Sequence, residues 1–204
     1  MLEELALTYD LCMLAFPPRA HDKSFLEINP RGTVPLFIDG ETRMTESAAI
    51  CEYLALRHSP GALNVAANEP DFGDYLNSLH MSDATLTFPQ TLVLRYSRFE
   101  PAGRLQPQVA DDYSKWFLSR LRTLEAHLAA QDFLCAQRFT AADVAVGYAL
   151  MLAELLGLHE SFTPAIAQYW QRLKSRDGFV RAMAAQDVAA CEQGVSTLPA
   201  TDAA

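Results

Sequence analysis

The sequence predicts a small α/β domain followed by an all-helical one. Three observations predict it. Short β-forming runs separated by turn residues are confined to the chain before Thr45. From Thr45 onward apolar residues recur at helical spacing. Between the two patterns, residues 60–68 are small residues, Pro, Gly and Asn, the composition of a linker. The domains therefore fall at 1–60 and 69–191. Residues 192–204 are rich in Ala, Thr and Ser and read as a disordered tail.

Each element has a local reason. Residues 1–6 read as a short helical piece. Leu7–Phe16 (LTYDLCMLAF) reads as a strand, stopped by Pro17-Pro18. His21–Ile28 has room for one or two helical turns before the turn signal Asn29-Pro30-Arg31-Gly32. Val34–Ile38 reads as a strand, Asp39-Gly40 as a hairpin turn and Thr42–Met44 as the returning strand. A helix follows to His58, ended by Ser59-Pro60-Gly61. Phe72–Phe99 is one helical run with a kink expected at Pro89. Gln106–Gln131 is amphipathic, with Tyr113, Trp116, Phe117, Leu121, Leu124 and Leu128 on its apolar side, and Trp116, Val144 and Leu152 are expected to centre the helical core. Thr140–Leu156 is apolar on nearly every face and reads as buried. Pro164–Ser175 and Gly178–Cys191 complete the helices.

The bulk properties narrow the function classes. The formal charge of -9 on 204 residues argues against a nucleic-acid partner, which needs a basic surface. Cys12, Cys51, Cys135 and Cys191 are scattered, with no C-x-x-C and no His at zinc-ligand spacing, so neither a metal site nor a disulfide framework is expected. No apolar run approaches the roughly 20 residues of a membrane span. The acidic start Met1-Leu2-Glu3-Glu4-Leu5 is unlike a signal peptide, which makes a cytoplasmic location the expectation.

Two short stretches carry binding chemistry. Val34-Pro35 reads either as a trans proline on an edge strand or as a cis bond that turns the Val34 main chain outward. In the second case an extended peptide can pair with Val34 as a short antiparallel strand. Glu46-Ser47 opens a helix, where free N–H groups and the dipole favour a carboxylate and the Ser47 hydroxyl adds a donor. Glu46 places a negative charge beside it, suited to an ammonium group. The plainer alternative is Thr45 as N-cap with Glu46 as a first-turn acid.

The stretch Phe25-Leu26-Glu27-Ile28-Asn29-Pro30-Arg31-Gly32-Thr33-Val34-Pro35-Leu36, followed by Thr45-Glu46-Ser47-Ala48-Ala49-Ile50-Cys51-Glu52-Tyr53-Leu54, resembles the glutathione-binding half of a cytosolic glutathione transferase. The resemblance covers nearly the whole chain. It implies a thioredoxin-like N-terminal domain, an all-α helical bundle after it, and a cis bond before Pro35. It implies that Val34, Pro35, Glu46 and Ser47 bind glutathione, with Ser47 at the carboxylate and Glu46 at the amine of its γ-glutamyl end. His21, Lys23 and Arg31 are candidates for its glycyl carboxylate, though each also reads as solvated surface. The electrophile site of the family draws on the helix matching Phe72–Phe99. Its candidates are Met81, Thr85, Phe88, Tyr96 and Trp170, each of which also reads as plain core. Phe139-Thr140-Ala141-Ala142-Asp143-Val144 resembles the family's capping motif, with Thr140 as cap, Asp143 closing the box and Phe139 against Val144 as a staple; its role there is folding.

The implied activity is attack of the glutathione thiolate, as co-substrate, on a small electrophile, by a homodimer. The alternative on the same fold is a non-catalytic binding or interaction protein. Leu2–Tyr9 matches the end of the family's first helix. The expectation is therefore an N-terminal domain without the first strand and without the loop bearing a Tyr, Ser or Cys. The thiolate-activating residue is then unassigned, and Leu7–Phe16 lacks a neighbour for its backbone.

Overall fold

The computed structural model describes residues 1–197. Residues 1–7 form hydrogen-bonded turns, with Leu5 N–H donating to Met1 C=O at 3.2 Å and Leu7 N–H to Leu2 C=O at 3.1 Å. Two single-turn helices follow, α1 (Pro18–His21) and α2 (Phe25–Ile28). Pro18 begins α1, a position where its missing N–H is harmless. The only sheet among the described residues is an antiparallel hairpin, β1 (Phe37–Asp39) with β2 (Thr42–Met44), registered Phe37 to Met44 and Asp39 to Thr42. Gly40 takes the left-handed conformation at the turn (φ +57°), as the Asp39-Gly40 signal anticipates. Helix α3 (Ser47–His58) carries Tyr53, whose hydroxyl donates to Asp39 Oδ2 at 2.8 Å and whose ring meets Phe37 edge-on, bracing the hairpin.

Two strand expectations are corrected. Leu7–Phe16 has no regular secondary structure and belongs to no sheet. Among the described residues it has no ladder partner; instead Gln193 Nε2 donates to Leu11 C=O and Gln193 Oε1 accepts from Met13 N–H, each at 2.8 Å. The strand at Val34–Ile38 shrinks to Phe37–Asp39, since Pro35 has no N–H to give a ladder and pairing with β2 begins at Phe37.

The helical remainder runs through α4 (Phe72–Met81), α5 (Phe88–Leu94), α6 (Pro107–Leu121), α7 (Glu125–Ala130), α8 (Ala141–Leu155), α9 (Pro164–Lys174) and α10 (Asp177–Gln193). The expected kink at Pro89 takes another form. Two π segments, Ser82–Thr87 and Arg95–Phe99, flank α5, and Phe88 N–H reaches back to Asp83 C=O. Pro89, lacking an N–H, sits in the first turn of α5, where none is required. A short 3-10 turn at Arg122–Leu124 separates α6 from α7 within the predicted Gln106–Gln131 helix.

One buried cluster joins the two halves. Ala48 and Ala55 of α3 and Val65 pack with Tyr75, Leu79, Leu86, Phe117, Val146, Leu150, Ile166 and Trp170. The predicted linker 60–68 is accordingly bolted down: Asn64 and Val65 are buried, and Ala141 N–H donates to Leu63 C=O at 2.7 Å. Phe117, not Trp116, fills the core from α6. Trp116 is 52% exposed, stacked on Tyr113 with Arg120 over its ring. Asp143 is a buried hub. It accepts from Thr140 N–H at 2.8 Å, Leu134 N–H at 3.0 Å and the Tyr169 hydroxyl at 2.8 Å. Phe139 packs edge-on against Phe133.

The tail expectation is corrected at its start, because Glu192 and Gln193 complete α10 and Gly194 ends it in the left-handed conformation (φ +65°). The rest of that expectation, residues 198–204, lies outside the described residues.

Candidate functional site

The loop ahead of β1 is built around Asn29, a buried polar residue. Its side-chain amide donates to Thr33 C=O at 2.7 Å and accepts from Arg31 N–H at 3.2 Å, while its own C=O accepts from Gly32 N–H at 2.9 Å. Gly32 is in the left-handed region (φ +61°), and a Cβ there would lie 2.9 Å from Leu26 Cδ2 and 3.0 Å from Arg19 Cβ. Only glycine fits both constraints. The loop then delivers Val34, 42% exposed, ahead of a cis bond to Pro35. Neither the N–H nor the C=O of Val34 has a partner among the described residues.

Helix α3 begins with Glu46 as its N-cap in extended conformation and Ser47 as its first residue. The alternative reading of Thr45 as the cap is therefore one residue early. Ile50 N–H is the first to bond back, to Glu46 C=O at 2.9 Å. The N–H groups of Ser47, Ala48 and Ala49 point out of the helix start without a partner among the described residues. The side chains converge here. Arg31 Nη1 donates to Thr45 Oγ1 at 2.7 Å and lies 3.5 Å from Glu46 Oε1. The Ser47 hydroxyl donates to Asp83 Oδ1 at 3.2 Å, across to the π segment that follows α4. Burial pushes the Cys51 thiol of α3 up, and the nearby Asp83 charge adds to that shift.

Thus Arg31, Glu46 and Ser47 are brought together, with Asp83 and Asn29 added. Sequence reasoning missed both additions. Asn29 carries a signal, an Asn in a tight turn, which by itself specifies only a turn. Asp83 carried none, because its role arises from packing between the halves. His21 and Lys23 are exposed, and their side chains make no polar contact among the described residues.

The other candidates separate. Met81, Thr85 and Phe88 succeed one another along the run from α4 to α5, with Phe88 56% exposed. Tyr96 is half-buried under the Arg95 guanidinium. Trp170 is core: its Nε1–H donates to Glu154 Oε2 at 2.5 Å and its ring meets Phe179 of α10 edge-on. Tyr9 and Cys12 lie on the Leu7–Phe16 segment; the Tyr9 hydroxyl donates to Glu3 Oε1 at 2.8 Å, and burial followed by that bond raises its pKa. No group of His, Cys, Asp and Glu side chains able to hold a metal occurs among the described residues. No helix among them is long and apolar enough to cross a membrane.

Comparison with known proteins places this geometry. A family profile described as glutathione S-transferase, N-terminal domain, matches residues 1–62. Glutathione S-transferase 3 of Zea mays is 26% identical over 198 residues, spanning 91% of this chain and 86% of that protein. Glutathione S-transferase GstA of Escherichia coli O157:H7 is 26% identical over 170 residues, 79% of this chain and 78% of that one. A sphingomonad glutathione S-transferase solved with glutathione superposes with a TM-score of 0.78 at 22% identity, covering 92% of this chain and 91% of the other. A Phanerochaete chrysosporium glutathione transferase in complex with oxidized glutathione gives 0.79 at 24% identity, covering 92% and 89%. The structural likeness establishes the fold: a small thioredoxin-like α/β domain, here with a two-stranded sheet, followed by helices.

Proposed function

We propose that this chain, whose residues 1–62 match the glutathione S-transferase N-terminal domain and which is similar to such transferases along most of its length, binds glutathione between the Val34 main chain and the start of α3, and conjugates it to a small electrophile. The observation that carries the reading is the outward, unpartnered Val34 main chain combined with Glu46, Ser47 and Asp83 at the helix start. The peptide's cysteinyl unit pairs with Val34 as a short strand. Its γ-glutamyl carboxylate takes the Ser47 hydroxyl and the free N–H groups of Ser47 to Ala49. Its ammonium lies against Glu46 and Asp83.

The chemistry is then attack of the glutathione sulfur on an electrophilic carbon, with departure of a leaving group or opening of a double bond or ring. A free thiol has a pKa near 8.5, so the site must favour the thiolate. The residue that does so is unassigned. A second reading, glutathione binding without turnover, is favoured by one observation. The Ser47 hydroxyl at the helix start is already engaged by Asp83, and the Tyr9 hydroxyl by Glu3, so neither hydroxyl is a free donor for a sulfur. The protein is proposed to act in the cytoplasm and as a homodimer; exposed Leu56 of α3 and Tyr148 of α8, two elements in contact, support the latter. Two domains, 1–60 and 69–191, are the proposed division.

The test is paired. Calorimetry with glutathione reads binding, and absorbance with glutathione plus a chlorodinitrobenzene reads conjugation. Saturable binding with turnover supports the transferase. Binding without turnover supports the second reading. No binding at millimolar glutathione removes both.

A further inference from the structure

The Arg31 side chain reaches the start of α3. Its main chain is immobilised by the Asn29 bonds at Arg31 N–H and Gly32 N–H. From that anchor the guanidinium extends to the β2–α3 junction, 2.7 Å from Thr45 Oγ1 and 3.5 Å from Glu46 Oε1. A guanidinium has five N–H donors in a planar fork. Thr45 uses one at good geometry, and the contact with Glu46 is long. The two charged side chains are 68% and 73% exposed, so the pair is weakly held and readily exchanged. Beyond Glu46 comes Ser47, whose hydroxyl is engaged by Asp83. The helix start thus presents a cation, a carboxylate, a hydroxyl and a second carboxylate.

We propose that Arg31 is a binding residue for the α-carboxylate of a zwitterionic amino-acid head, which it receives by exchanging its contact with Glu46. The proposal rests on the glutathione reading given above. In the exchange the ligand's carboxylate takes the Arg31 fork and the Ser47 hydroxyl, and its ammonium takes Glu46 and Asp83. Each charge that leaves a partner gains another. A ligand without the ammonium would separate Arg31 from Glu46 and leave Glu46 unmatched. A ligand without the α-carboxylate would gain nothing from Arg31. The site therefore selects a free α-amino acid terminus as a unit, as at the γ-glutamyl end of the tripeptide, and Arg31 makes no contribution at the glycyl end.

The experiment measures affinities of the parent, Arg31→Ala and Arg31→Lys proteins by calorimetry for three probes. These are glutathione, γ-glutamylcysteine (no glycyl unit) and 4-aminobutyryl-cysteinylglycine (no α-carboxylate). Arg31→Ala should weaken glutathione and γ-glutamylcysteine alike, by about tenfold, the scale of a hydrogen bond to a charged group. It should leave the third probe unchanged. Arg31→Lys should recover part of the loss, having the charge without the fork. Melting curves of the variants should match the parent, since the side chain is exposed. A loss seen with glutathione but absent with γ-glutamylcysteine would put Arg31 on the glycyl carboxylate and overturn the proposal. An unchanged glutathione affinity in Arg31→Ala would overturn it too. Failure of the parent itself to bind glutathione is a separate result, which removes the underlying reading and this proposal with it.

Discussion

The Ser47 hydroxyl donates to Asp83 Oδ1 at 3.2 Å, tying the first turn of α3 to the π segment of the helical half. The hydroxyl therefore has two uses, a bond across the halves and, in the proposed complex, a donor for the ligand carboxylate. Ser47→Ala should weaken glutathione binding by about 1.5–3 kcal/mol and lower stability by no more than about 1 kcal/mol, since the Asp83 bond is only partly buried. Asp83→Asn keeps the acceptor and removes the charge, so it should weaken glutathione while leaving the melt in place. Calorimetry and thermal melts on both variants check this; undiminished affinity in both would take the pair out of the site.

The loop that presents Val34 depends on Gly32. Its left-handed conformation and the approach of Leu26 and Arg19 leave no room for a Cβ. Gly32→Ala should cost about 2 kcal/mol or more, from the backbone penalty together with the displacement of Leu26. It should also lower glutathione affinity, because Val34 follows two residues later. Urea unfolding gives the first quantity, and a curve superposable on the parent's would show that the loop relaxes freely.

Asp143 and Thr140 should separate in their effects. Thr140→Ala removes one side chain of the capping box, at about 0.5–2 kcal/mol. Asp143→Ala strips an acceptor from Thr140 N–H, Leu134 N–H and the Tyr169 hydroxyl, all buried, and should cost about 3 kcal/mol or more. Denaturant melts rank the two. A Thr140 variant less stable than the Asp143 variant contradicts the hub.

The cysteines should divide by reactivity. Cys12 and Cys191 are exposed. Burial pushes the Cys135 thiol up to about 11 and also raises Cys51. Timed alkylation at neutral pH, read by mass spectrometry, should label Cys12 and Cys191 first, with Cys51 and Cys135 following only on unfolding. Early labelling of Cys135 would contradict its place in the core.

The N-terminal turns should loosen in acid. Tyr9 and Arg181 hold the Glu3 carboxyl below its ordinary value, Tyr9 being the larger cause. A depressed carboxylate contributes stability that is present above its unfolded pKa and is lost as pH falls through the folded one. Amide exchange at residues 1–9, corrected for intrinsic rate, should therefore rise relative to α8 as pH drops below the carboxylate range. Constant relative protection would mean that Glu3 does not anchor this segment.

The elements with a local cause were legible in the sequence. Asp39-Gly40 specified the hairpin through its turn geometry, and Thr140 with Asp143 marked the start of α8. The juxtaposition of Glu46 and Ser47 at a helix start was likewise readable, being a matter of neighbours in sequence. What was not legible came from packing between distant segments. Trp116 fits an apolar stripe as well as Phe117 does, and only the arrangement of α5 against α6 decides which is buried. Trp170 is buried against Glu154 and Phe179, neither visible as its partner at helical spacing. Leu7–Phe16 has β-forming composition, yet a strand is defined by its neighbour and not by its own residues.

The two bonds from Gln193 to Leu11 C=O and Met13 N–H have the pattern that one residue of a parallel strand makes to the residues flanking its opposite number, here Cys12. A carboxamide has the donor and acceptor of a peptide group, so a side chain here does the work of a ladder rung. The rung comes from the end of α10, while Arg176 at its N-cap and Arg181 in its second turn grip Glu4 and Glu3. Segment 1–13 and α10 should consequently open and close together, although they lie at opposite ends of the described chain. The registration of the Leu7–Phe16 segment is set not by a sheet but by the pitch of a helix.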